Sequence, residues 1–95
     1  MSIKEDLAKL ESCLASKLRA TYLEVNPIEN TNKIEIVVSA NFFDTISVQS
    51  RIFYCFSLTE VCCPDILDKY ELLVKALNSE EMDLFFENRF IEELK

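Results

Sequence analysis

Ile3, Leu7, Leu10, Leu14 and Leu18 recur at three- and four-residue intervals, with Lys4, Asp6, Lys9, Glu11 and Lys17 set between them. That spacing gathers the apolar residues into one stripe of a helix and sends the charges to the other side. Ser2 followed by Glu5 is a capping-box pattern, so the helix is predicted to begin there, and Arg19 and Ala20 finish it. The period then changes. Tyr22-Leu23-Glu24-Val25 reads as a short strand, and Ile34, Ile36 and Val38 alternate with Glu35, Val37 and Ser39 as in a strand with one buried face. Residues 26–32 form the turn between them, and their asparagines can take left-handed conformations. The resulting hairpin is predicted to pack on the first helix, with Ile34, Ile36 and Val38 against Leu7, Leu10 and Leu14.

The pattern from Thr45 to Thr59 supports two elements. Ile46, Val48, Ile52, Tyr54, Phe56 and Leu58 follow period two in a β-branched and aromatic stretch, broken only at Ser50, which favours a strand. Val48, Ile52, Cys55, Phe56 and Thr59 also fit one helical stripe, with Thr45 or Ser47 as its cap. Pro64-Asp65 punctuates the chain and starts a new element. Ile66, Leu67, Tyr70, Leu73, Val74 and Leu77 fit a helix, while Tyr70 to Lys75 fits a strand equally well. Ser79-Glu80-Glu81-Met82 is a helix start, with a hydroxyl cap and acids in the first turn. The final helix carries Met82, Phe85, Phe86, Phe90 and Leu94 on a broad apolar face.

Composition narrows the chemistry more than the fold. The 95 residues, 49% of them apolar, are enough for one domain, 1–95, with a modest core. There is no histidine, hence no Ser-His or Cys-His nucleophile pair, no imidazole metal ligand and no charge switch near neutral pH. There is no glycine either, which removes phosphate-cradling loops, dinucleotide fingerprints and nucleophile elbows. The expectation is a protein that is not an enzyme. Ten basic residues scattered among seventeen acidic ones, net −7, speak against a nucleic-acid partner and for a basic protein partner. Glu80 and Glu81 are taken as helix N-terminal charges rather than an acid/base pair.

Four cysteines, Cys13, Cys55, Cys62 and Cys63, are expected to be reduced and to behave as small buried hydrophobes. The charged, amphipathic start lacks an apolar signal core, and no apolar run approaches a bilayer span, so a cytoplasmic setting is expected. Cys62 and Cys63 are adjacent and cannot easily pair with each other or converge on one tetrahedral metal. Glu60 and Asp65 beside them work against thiolate formation. No metal and no cofactor are expected, and folding should be metal-independent.

Two segments resemble the BolA family. Tyr70-Glu-Leu-Leu-Val-Lys-Ala-Leu-Asn-Ser-Glu-Glu-Met82 is similar to that family's closing strand, in which a histidine followed by Ala-Leu runs into a Thr-Pro-Glu-Glu-Trp-like helix start. Val37-Val38-Ser39 with Phe42 resembles its second strand, and Arg51-Ile52-Phe53-Tyr54 the end of its Arg-His-Arg-x-Val-Tyr helix. The resemblance covers roughly Leu23 to Met82. It implies a compact α-β-β-α-β-α domain of BolA/KH-like type with a three-stranded sheet. The alternative from propensity alone is α-β-β-β-α-α. The resemblance also implies a regulatory role beside a monothiol glutaredoxin in iron–sulfur or redox homeostasis. Ser50 falls near the family's helix histidine and Tyr70 where its strand histidine would stand. Arg51 and Lys75 flank them, making Ser50, Arg51, Tyr70 and Lys75 the candidate partner-binding residues. The competing function is an acidic dimeric adaptor or chaperone-like protein, with the C-terminal helix as the homodimer face.

Overall fold

The computed structural model describes residues 3–93. Ser2, the predicted cap of the first helix, and Leu94, the end of the predicted apolar face, lie outside the described residues. The elements are α1 (Ile3–Leu18), β1 (Ala20–Pro27), β2 (Lys33–Ala40), a 3-10 turn (Asn41–Thr45), α2 (Val48–Cys62), α3 (Pro64–Lys69), β3 (Glu71–Leu77) and α4 (Ser79–Glu93). The fold is α+β. The sheet order is β1-β2-β3, with β1 antiparallel and β3 parallel to β2.

The helical alternative holds at 46–58. Ser47 has extended backbone and its hydroxyl accepts the Ser50 amide, which starts α2 one residue later. Strand propensity loses because the helix buries Arg51, Cys55 and Thr59, at four-residue spacing, against the rest of the core. The 66–77 stretch resolves both ways. Pro64 opens the six-residue helix α3, and the chain becomes extended at Tyr70, so Ile66 faces the core from a helix and Leu72 from a strand.

β1 is longer than predicted, because Ala20, Asn26 and Pro27 pair with Ala40, Glu35 and Ile34 of β2. The chain turns into it at Arg19, whose φ of 52° is left-handed. In the hairpin turn only Asn30 takes such a conformation, with φ 63°. Asn26, counted with the turn in the sequence, lies in the strand.

One face of the sheet carries Ile34, Ile36, Val38 and Ala40 of β2 beside Leu72 and Ala76 of β3. It is covered by Leu10, Leu14 and Leu18 of α1, Cys55 of α2 and Ile66 of α3, with Leu7 partly buried at the margin. Ile34, Ile36 and Val38 are all fully buried, so the predicted packing against α1 is present. At about 25 cal/mol per Å2 plus the cavity left behind, Ile36→Ala would cost about 2–4 kcal/mol.

The opposite face holds Val37, also fully buried, and Ser39. There α4 supplies Met82, and Tyr22 of β1 meets Phe86 edge-on with ring centroids 4.9 Å apart. Arg89 lies 4.6 Å over the Phe85 ring and pairs with Glu24 of β1 at 2.5 Å. The cover is incomplete: Phe86 and Phe90 of the predicted apolar face stay 44% and 60% exposed.

Candidate functional site

The four candidate residues occupy three different environments. Ser50 sits in the first turn of α2, half-buried, and accepts the Ser47 hydroxyl at 3.1 Å. Arg51, next to it, points inward. Its Nε donates to the Ile46 carbonyl at 3.1 Å, and its Nη1 to the Ala76 carbonyl at 3.3 Å and to Glu81 Oε1 at 2.6 Å. The side chain is 7% exposed. Arg51 is therefore corrected from a surface contact to an internal tie. It is buried because α2 places position 51 on the same stripe as Cys55 and Thr59, and backbone carbonyls and one carboxylate satisfy its charge there.

Tyr70 precedes β3 rather than lying in it. Its hydroxyl donates to Asp6 Oδ2 at 3.0 Å, and Lys69 Nζ reaches the same oxygen at 3.4 Å. Asp6 is buried in the first turn of α1. Burial alone would raise its carboxyl, but the hydrogen bonds from Tyr70 and Lys69 and the charge of Lys69 outweigh it and hold the group below the usual range. Burial, and then the Asp6 carboxylate, raise the Tyr70 phenol. This contact fastens the chain before β3 to the start of α1, and periodicity had assigned Asp6 to the charged outer side.

Lys75 lies on the other face of the sheet, opposite Val37, and pairs with Glu35 at 3.4 Å. Lys75 is the residue directly before Ala76-Leu77. The four residues are thus not one patch. Arg51 touches the C-terminal end of β3 and Tyr70 precedes its N-terminal end, about 20 Å away along the strand, and Lys75 projects from the opposite side.

A different constellation forms around Lys75. Lys33, Glu35, Glu71, Leu73 and Lys75 share one sheet face, because Lys33 stands opposite Glu71 and Glu35 opposite Leu73. Lys33 and Glu71 pair at 3.6 Å, Leu73 is 39% exposed, and α4 leaves this part of the sheet uncovered. Exposed pairs of this kind contribute little to stability, typically under about 1 kcal/mol. An alternating charge strip around one exposed leucine is suited to reading a partner of mixed charge. Alternation in β2 and β3 holds the signal for it in sequence, but only the parallel register brings the two strands into line.

Glu81, in the first turn of α4, has a structural role. Asn78, one residue before the predicted Ser79, caps the helix: its side chain accepts the Glu81 amide at 2.9 Å, and Glu81 accepts the Asn78 amide in return. Ser79 instead gives both its amide and its hydroxyl to Asp44. The Asn78 amide, and then Arg51, hold the Glu81 carboxyl below its ordinary value against the opposing effect of burial.

All four cysteines are free thiols. Cys13, Cys62 and Cys63 come together at an open groove of about 590 Å3 that Lys9, Ser12 and Ser16 also line. Burial, and then the Cys62 thiol, push Cys13 up to about 12, and burial alone takes Cys55 to about 11. Among the described residues no group of three His, Cys, Asp or Glu side chains is arranged to hold a metal ion, and no helix is long and apolar enough to cross a membrane. A scan against protein-family models finds no match to the chain, and a search of curated proteins finds no relative.

Proposed function

We propose that this chain is a small, non-catalytic protein-binding module of BolA-like type, acting beside a monothiol glutaredoxin in iron–sulfur or redox homeostasis. The observation that carries the reading is the helix α2 between β2 and β3, in the order α-β-β-α-α-β-α with a β1-β2-β3 sheet. The resemblance requires a helix there and the rival arrangement requires a strand. Tyr70, where the resemblance puts the family's strand histidine, is tied to Asp6, and of the candidate residues in this segment Lys75, before Ala76-Leu77, is the one left on the open sheet face. An ammonium is a poor iron–sulfur ligand and a serviceable ion-pair donor, so the proposed complex rests on surface contacts and is weaker than one bridged by a cluster. The contact surface is the open strip of Lys33, Glu35, Leu73 and Lys75.

The test is a titration of isotope-labelled protein with a monothiol glutaredoxin. Amide shifts should centre on residues 33–35 and 73–75, and Lys75→Glu should weaken binding about 5- to 30-fold, because a repulsive charge replaces an attractive one. Absence of binding at high micromolar concentration counts against the module.

A second reading, an acidic dimeric adaptor, is favoured by one observation. Leu84, Phe86, Phe90 and Ile91 of α4 are 59%, 44%, 60% and 46% exposed on one short helix. Shift changes confined to residues 84–91 in the same titration, or in a dilution series without partner, select it.

A further inference from the structure

Cys13 and Cys62 are 49 positions apart (62 minus 13) and belong to different helices, yet both line one open groove. The Cys13 thiol donates to the Leu58 carbonyl at 3.6 Å. In an α-helix that carbonyl takes the amide of the residue four places on, which is Cys62. The Cys13 sulfur therefore lies on the last turn of α2, the turn that carries Cys62. Cys62 is half-buried at the groove, whereas Cys63, which also lines it, is only 3% exposed and packs with the core. Cys55 is 1% exposed and does not line the groove.

We propose that Cys13 and Cys62 are a peroxide-reactive thiol pair whose disulfide clamps α1 to the junction of α2 and α3. The co-reactant is a hydroperoxide. The sulfur of Cys62, the more accessible of the two, attacks the peroxide and breaks the O–O bond; its proton leaves with the departing oxygen, giving a sulfenic acid and water or an alcohol. The Cys13 sulfur then attacks the Cys62 sulfur. The S–S bond forms, the S–O bond breaks, and the departing hydroxide takes the Cys13 proton as a second molecule of water. Two thiols are oxidised by two electrons and one peroxide is reduced by two. Cys13, buried and with its thiol pushed up to about 12, keeps its proton at neutral pH and so acts second. Exchange with an external dithiol reverses the bond.

The experiment oxidises the full chain with hydrogen peroxide. The intact mass should fall by two hydrogens, and a non-reducing peptide map should join Cys13 to Cys62. The crosslink closes a long loop, so Tm should rise by on the order of 10 °C and fall back with dithiothreitol. C62S, at the more accessible position, should abolish the mass loss and the Tm rise, while C63S and C55S should keep both. C13S should also abolish them; if it folds poorly, C62S alone decides. A bond from Cys13 to Cys63 or Cys55, a covalent dimer, oxygen addition without a crosslink, or a crosslinked form with unchanged or lower Tm each overturns the proposal.

Discussion

Arg51 Nη1 lies 2.6 Å from Glu81 Oε1 and joins the first turn of α2 to the first turn of α4. The same guanidinium satisfies the Ile46 and Ala76 carbonyls, so one side chain holds the 3-10 turn's exit, the end of β3 and the start of α4. Arg51→Ala would leave the Ala76 carbonyl, which is buried, and the partly exposed Glu81 without this donor. A loss of about 2–4 kcal/mol is expected in urea denaturation. Glu81→Gln keeps the shape and the acceptor oxygen and should cost about 1 kcal/mol. An Arg51→Ala loss under about half a kcal/mol would show that the contact is idle. Any loss of partner binding by an Arg51 variant should accompany this unfolding.

Stability should be flat between about pH 5 and 9 and fall on both sides. On the acid side, Glu24 is held below its ordinary 4.5 first by Arg89, and Glu81 first by the Asn78 amide; Asp6 and Asp44 are lowered as well. A carboxyl with a depressed folded pKa lends stability that is complete above its unfolded value and is lost as pH falls through the folded one. On the alkaline side, burial takes the Cys55 and Cys13 thiols from 9.0 to about 11 and about 12. A raised pKa lends stability that is complete below the unfolded value and is lost as pH climbs through the folded one. Urea midpoints across pH check both limbs, and Glu24→Gln should flatten the acid one. Stability that keeps rising above pH 9 would contradict this account.

Arg19 carries φ 52° between α1 and β1 in a chain with no glycine to place there. Its Cβ crowds the following carbonyl in that conformation, at roughly 1–2 kcal/mol for an L-residue, and the side chain is exposed. Arg19→Gly relieves the crowding and adds freedom to the unfolded chain, so a net gain of about 0.5–1 kcal/mol is expected. A loss on substitution would mean that the arginine side chain contributes more than its backbone costs.

The helix α1, the hairpin and the buried face of β2 were legible because period and burial agree there: Leu10, Leu14, Ile34, Ile36 and Val38 are the core their spacing announces. Residues 46–58 were not, since Val48, Tyr54 and Phe53 stay exposed on α2 and blur its stripe. Arg51 and Asp6 misled for a related reason. A charge is normally read as surface, and each here is buried only because partners distant in sequence, Ala76 and Glu81 or Tyr70 and Lys69, come to meet it. The thiol groove and the Lys75 strip were illegible too, because each needs a tertiary register that no single segment encodes.

Phe90 and Ile91 sit on α4 among exposed Glu80, Asp83, Glu87 and Glu92, and this combination predicts a salt response that separates the two kinds of occupant. Two copies meeting through α4 bring like charges together, so raising the salt screens the repulsion and should tighten the dimer. A basic partner on the same helix should bind more weakly as salt rises. Sedimentation of the full chain at low and high salt is the measurement. The adaptor reading expects association that strengthens with salt and is lost in the Phe90→Ser, Ile91→Ser double variant. Tm should hold within a few degrees, because both side chains are already about half exposed to water. A chain that stays monomeric at high concentration and at every salt removes the dimer. The exposed apolar face of α4 is then left to a basic partner, whose binding must weaken with salt and be lost in the same double variant.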